Sequence, residues 1–171
     1  MKNRHNTASQ GFTLLEALVT ATILAILAAF THALFTDFIP RYQVISSAYD
    51  VHNLILKARA GALSDRSQRI ICAGDTGCST FNQTDSLIMG RDDNQNGQLE
   101  TGEVIDSLNF PGNTTLEWKR FNGNSLVFHS SGISHFQNGS FYICNTRSGR
   151  KIVMNWIGRT RIETLPTNTC P

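Results

Sequence analysis

The sequence predicts an α+β fold, one long N-terminal helix followed by a β-rich head, and three patterns carry that reading. From Ala17 to Phe35 nineteen residues pass without an Asp, Glu, Lys or Arg, enough for a helix of roughly 28 Å at 1.5 Å per residue. Beyond it Val44, Ala48, Val51, Ile55, Ala58 and Ala62 recur at three- and four-residue spacing, while Arg41, Asp50, Lys57 and Arg59 fall elsewhere. That is the pattern of a helix with one buried face. After Ser64 come short β-rich runs separated by Gly, Asn, Asp and Ser, which read as antiparallel strands of a sheet or sandwich.

The uncharged run matches the ~30 Å hydrocarbon thickness of a bilayer, so the helix is expected to cross a membrane once. Lys2, Arg4 and His5 precede it and a polar domain follows, which places the N-terminus in the cytoplasm and the rest outside. A secretory signal peptide would have a shorter apolar region ending at a small-residue cleavage site, and none follows this run. Pro40 is expected to kink the helix or to mark where it leaves the membrane. The expected strands are Arg69–Cys72, Leu87–Gly90, Val104–Phe110, Thr115–Phe121, Ser125–His129, Ser140–Cys144, Lys151–Ile157 and Arg159–Thr164. Asn122-Gly123 and Asn138-Gly139 read as tight turns, because both residue types tolerate positive φ.

At 171 residues the chain has room for one modest core plus an anchor. Removing Lys2 and Arg4 with a leader leaves thirteen basic and thirteen acidic residues, so a global basic field for a polyanion is absent. Cys72, Cys78, Cys144 and Cys170 all follow the apolar segment, and an even number in an exported domain points to disulfides. Of three possible pairings we favour Cys72–Cys78 with Cys144–Cys170, because the second bond pins a tail that would otherwise fray. Zinc is disfavoured by the lack of a Cys-x-x-Cys spacing.

At the head of the apolar run stand Gly11-Phe12-Thr13-Leu14-Leu15-Glu16. They resemble the prepilin motif of type IV pilins and type II secretion pseudopilins. The resemblance implies cleavage between Gly11 and Phe12 by a prepilin peptidase, N-methylation of Phe12, and inner-membrane anchoring before assembly with other pilins or pseudopilins. Glu16, a carboxylate in an apolar helix, costs roughly 2.5 kcal/mol or more and marks function. In the resembled family its partner is the amino group of the first mature residue, here Phe12. The alternative is a side chain snorkelling to the headgroups.

The head resembles the GspH/FimT group of minor pilins and pseudopilins. The resemblance rests on Lys57-Ala58-Arg59-Ala60 leading into Ile70-Ile71-Cys72, and on Asp92-Asp93-Asn94-Gln95-Asn96-Gly97 before Gly102-Glu103. It rests also on Phe128-His129-Ser130-Ser131-Gly132 and on Gly158-Arg159-Thr160-Arg161. It implies a type IV pilin-like fold divided as a leader over 1–11, a transmembrane part over 12–39, an amphipathic part over 40–64 and a periplasmic head over 65–171.

FimT-type members implicated in DNA uptake bear a Gly-Arg-x-Arg motif, matched by Gly158, Arg159, Thr160 and Arg161. In a strand Arg159 and Arg161 would project from one face about 7 Å apart, close to one phosphate spacing. Between Arg147 and Arg161 lie Arg147, Arg150, Lys151, Arg159 and Arg161 with no acid. Such a patch would hold double-stranded DNA by its backbone, independently of sequence. Against it stands the ordinary use of Lys and Arg on an edge strand to discourage association. Trp156 is expected in the core, although it could stack on a base. Asp92, Asn94, Asn96 and Glu103 match the ligand spacing of a calcium loop, and equally a polar hairpin rich in turn-formers. His129 and His135 have no evident nucleophile partner and no catalytic motif occurs, so neither an enzyme nor a cofactor is expected. The expected function is a minor pilin binding DNA for transformation. The alternatives are a secretion pseudopilin, a minor pilin that primes assembly, or a signal-anchored periplasmic enzyme.

Overall fold

The computed structural model describes residues 12–120, 123–166 and 169–170, with the side chains of 30–34 excepted. The chain forms two compact units, Met1–Asp37 and Phe38–Pro171. The leader with Gly11, and Asn122 of the first expected turn, lie outside the described residues.

Helix α1 spans Leu14–Ser64. In the first unit it exposes Leu14, Leu15, Leu18, Val19, Ile23, Leu24, Ile26 and Leu27, positions that cover every side of a helix. Among the described residues no helix is long and apolar enough to cross a membrane, and residues 30–34 of the expected span are among those whose side chains are not described. The hydroxyls of Thr20 and Thr22 are turned back onto the carbonyls of Ala17 and Val19, at 3.0 and 2.8 Å, which hides part of their own polarity.

In the second unit the periodic face of α1 is the core. Val44, Ala48, Val51, Ile55, Ala58 and Ala62 are buried, joined by Leu54. Pro40 sits inside the assigned helix rather than at its end, and its carbonyl accepts a 2.7 Å hydrogen bond from Asn145 Nδ2.

Eight strands follow, β1 (Arg69–Ala73), β2 (Ser86–Gly90), β3 (Val104–Asn109), β4 (Thr115–Lys119), β5 (Ser125–Phe128), β6 (Gly139–Cys144), β7 (Gly149–Met154) and β8 (Thr160–Thr164). They form two four-stranded sheets, ordered β3-β2-β1-β5 and β4-β6-β7-β8, with every pairing antiparallel. The main core holds Ile71, Ala73, Leu87, Met89 and Leu126 of the first sheet and Leu116, Phe141, Ile143, Ile152 and Met154 of the second. The opposite face of β1 and β2 is also covered. Ile70, Cys72 and Ile88 pack there with Leu99 from the β2–β3 loop, so β1 and β2 are buried throughout while β3, β4, β5 and β6 alternate. Phe81, Trp118 and Phe141 join the layers as an aromatic cluster, with Trp118 stacked on Phe141 at 4.6 Å.

The two Asn-Gly dipeptides do not close hairpins. Strands β4 and β5 belong to different sheets, as do β5 and β6, and Gly139 is the first residue of β6. Its glycine serves packing, because a Cβ there would meet the Trp118 ring at 2.6 Å. The tight hairpins lie at Asn145 and Asn155. Asn145 Oδ1 accepts from Arg147 N and Ser148 N, both at 2.9 Å, and Asn155 Oδ1 accepts from Arg159 N at 2.9 Å. Each side chain thus caps its own turn.

Candidate functional site

At its start α1 is closed by a reciprocal cap. Thr13 donates from its amide and from its hydroxyl to Glu16 Oε2, both at 3.0 Å, and Glu16 N donates to Thr13 Oγ1 at 3.3 Å. This Thr-x-x-Glu arrangement satisfies amide donors that a helix start leaves orphaned. The partner Thr13 differs from the ammonium group and from the headgroups expected for Glu16 from the sequence. The spacing of Thr13 and Glu16 was the signal for this third one.

The basic residues gathered from the C-terminal sequence do not form one patch. Arg147 lies in the β6–β7 turn and Arg159 in the β7–β8 turn, so the six residues of β7 separate them by roughly 17 Å of strand. Alternation divides the rest. Ile152 and Met154 of β7 are buried, and Arg150 shares their face, whereas Lys151 lies on the opposite one. There Lys151 pairs with Glu163, and Val153 with Arg161, across β8. The outer face therefore brings together Lys151, Arg159 and Arg161. On the other side Arg147 and Arg150 border a cavity of about 370 Å³ with Arg41 of α1, Thr164 and Pro166.

The outer face also holds an acid. Glu163 receives Arg161 Nε at 2.7 Å and Lys151 Nζ at 3.5 Å, while Lys151 lies 5.9 Å from the Tyr142 ring centroid. Glu163 is two residues beyond the acid-free stretch, so the period of a strand placed it there and a linear count did not. Arg159 and Arg161 are exposed and border an open depression of about 220 Å³ with Val153, Asn155 and Thr160. Arg159 lies in the turn before β8 rather than in the strand. Gly158 makes that turn at φ +83°, and a Cβ would strike Phe128 at 2.5 Å. The glycine of the Gly-Arg-x-Arg sequence is thus required by the backbone. Trp156, expected in the core, is 54% exposed because the Asn155 cap ends β7 two residues before it.

The acidic loop is closed on itself. Asp92 Oδ1 accepts from Asn96 N at 3.0 Å and Oδ2 from Gly97 N at 2.8 Å. Asn94 and Asn96 donate through Nδ2 to Glu100. Glu103 accepts from Asp93 N and Glu100 N, at 3.0 and 3.1 Å. The oxygens named for calcium are thus engaged as turn caps. Among the described residues no group of three or more His, Cys, Asp or Glu side chains is placed to hold a metal ion. Cys72 is bonded to Cys78 and Cys144 to Cys170, the pairing favoured from the sequence.

Comparison with known proteins places this geometry. A family model described as Type II transport protein GspH matches residues 47–158, and one described as Prokaryotic N-terminal methylation motif matches 6–31. A search of curated proteins found no match. Among solved structures the type IV minor pilin FimU of Pseudomonas aeruginosa is similar in two crystal forms. One is 23% identical, with a TM-score of 0.53 over 78% of this chain and 96% of that one. The other is 21% identical, with a TM-score of 0.50 over 69% and 90%. These likenesses establish a shared pilin fold. The GspH match runs from the buried face of α1 to the β7–β8 turn and covers well over half of the sequence, so this chain belongs to the Type II transport protein GspH family.

Proposed function

We propose that the chain is a minor pilin of a type IV pilus, cleaved between Gly11 and Phe12, held in the inner membrane by α1 and then built into the filament. The observation that carries the reading is the N-terminal methylation motif heading a helix with apolar side chains exposed on every side. Such a surface needs lipid or neighbouring helices to cover it. Gly11→Leu should leave the leader uncleaved on a gel shift, and normal processing would refute the assignment.

The finer reading is sequence-independent binding of double-stranded DNA by the outer face of β7 and β8. Three cations stand there against one carboxylate, and Arg159 has no side-chain partner among the described residues. Glu163 acts as an internal competitor for Arg161 and Lys151, which predicts modest and strongly salt-sensitive affinity. In the detergent-solubilised full chain, Arg159→Gln with Arg161→Gln should lower the salt slope by about two, whereas Glu163→Gln should strengthen binding. Binding indifferent to all three changes would remove DNA from the function. The family description favours a second reading, a pseudopilin of a type II secretion system. Deleting the gene would then abolish protein secretion and leave transformation intact.

A further inference from the structure

The loop between β5 and β6 carries two histidines that the filament and DNA readings do not use. His129 and His135 are both exposed, and their rings approach to 4.8 Å between centroids at an interplanar angle of 71°. Neither ring makes a hydrogen bond with any described residue, so their nitrogens are available.

The backbone beneath them is tightly held. His129 donates its amide to the Ile133 carbonyl at 3.1 Å and accepts from Gly132 N at 2.7 Å. Ser134 is buried, and its hydroxyl reaches the carbonyls of Gln137 and Trp156, at 3.3 and 3.1 Å. Gln137 clamps β5 from both sides, accepting from Val127 N at 2.7 Å and donating to the Ser125 carbonyl at 3.0 Å. Between these anchors His135 and Phe136 take positive φ, 27° and 56°, a conformation with a cost for side chains of this size. That conformation brings residues six apart in sequence into ring contact.

We propose that His129 and His135 form a two-imidazole site for a divalent transition-metal ion of the zinc, nickel or copper class. Imidazole nitrogens bind such ions at about 2.0–2.1 Å. Two rings on one ion at an angle of roughly 90–110° then have centroids roughly 4.5–5.3 Å apart, and the observed separation falls inside that interval. Imidazole suits this class and not calcium or magnesium, which take oxygen donors. The preset loop removes most of the ordering cost of bringing two donors together. Exposure leaves the remaining coordination positions to water or to a donor from a neighbouring molecule.

The test is calorimetric titration of untagged full chain in detergent with Zn²⁺ and with Cu²⁺. One ion per chain should bind, and His129→Asn and His135→Asn should each weaken it tenfold or more. A variant lacking His5 and His32 should retain it. Electron paramagnetic resonance of the Cu²⁺ complex should show two nitrogen donors. Both histidines are exposed, so the variants should keep the wild-type melting temperature, which separates loss of ligand from loss of fold. Absence of binding by the wild type would overturn the site. So would unchanged affinity in either single variant, or a copper spectrum with one nitrogen.

Discussion

Arg69 is the clearest case of a residue whose role depends on one partner. It is buried at the start of β1, and its Nε and Nη1 reach no hydrogen-bond partner among the described residues, so the ion pair with Asp65 just beyond α1 carries its compensation. The Ser64 hydroxyl, donating to Asp65 at 2.8 Å, and the Arg69 guanidinium hold the Asp65 carboxyl below the ordinary aspartate range. A depressed carboxylate stabilises the fold above the unfolded value of about 3.9, and that contribution is lost as pH falls through the folded value. Asp65→Asn should therefore melt below wild type at pH 7, with the difference closing below about pH 4. Thermal melts across pH 2–7 measure it, and a constant difference would show that the charge of Asp65 is not what matters. Residue by residue the sequence was an uneven guide. It named Arg159 and Arg161 correctly as exposed cations but missed Glu163, because a charge count along the chain ignores the two-residue period of a strand. It sent Trp156 to the core because nothing in an apolar run announces that Asn155 will turn its side chain back and end the strand.

Elements were more legible than their partners. The six positions chosen for the buried face of α1 are all buried, because helical spacing and apolarity are local properties. Removing one should cost accordingly. Ile55→Ala should destabilise the protein by about 3 kcal/mol, while Leu56→Ala, at a half-exposed neighbouring position on the same helix, should cost under about 1 kcal/mol. Chemical unfolding of both variants compares them directly. Equal losses would mean that the face of α1 is not what anchors the head. All eight strands also correspond to expected runs. What the runs could not say was which sheet each joins. The Asn-Gly dipeptides report local backbone freedom, and pairing is settled by which faces the aromatic cluster of Phe81, Trp118 and Phe141 can bury together. The two asparagines that do close hairpins, Asn145 and Asn155, act through side-chain caps, and neither is followed directly by the glycine that makes an Asn-Gly turn conspicuous.

At the scale of the whole molecule the two disulfides bracket different tasks. Cys72–Cys78 closes a short loop against the minor core, whereas Cys144–Cys170 spans 26 residues and encloses both β7 and β8. A loop of that size reduces the entropy of the unfolded chain by an amount equivalent to about 3.5 kcal/mol. Cys170→Ser should lower stability by roughly 2–4 kcal/mol without changing the buried face of α1. Unfolding of oxidised and reduced protein tests this, and identical stability would remove the tether from the account. The paired cysteines also fit a head that matures in an oxidising compartment.

That tether has a mechanical consequence. Strand β8 is the free margin of its sheet, and under tension a margin strand is the first to be peeled away. Here the tail beyond β8 returns to the end of β6 and is locked to it by a covalent bond. A pull on the tail is thereby passed to an interior strand instead of unzipping the margin. Arg161 and Glu163, which ride on that margin, keep their spacing relative to Lys151 when the tail is pulled.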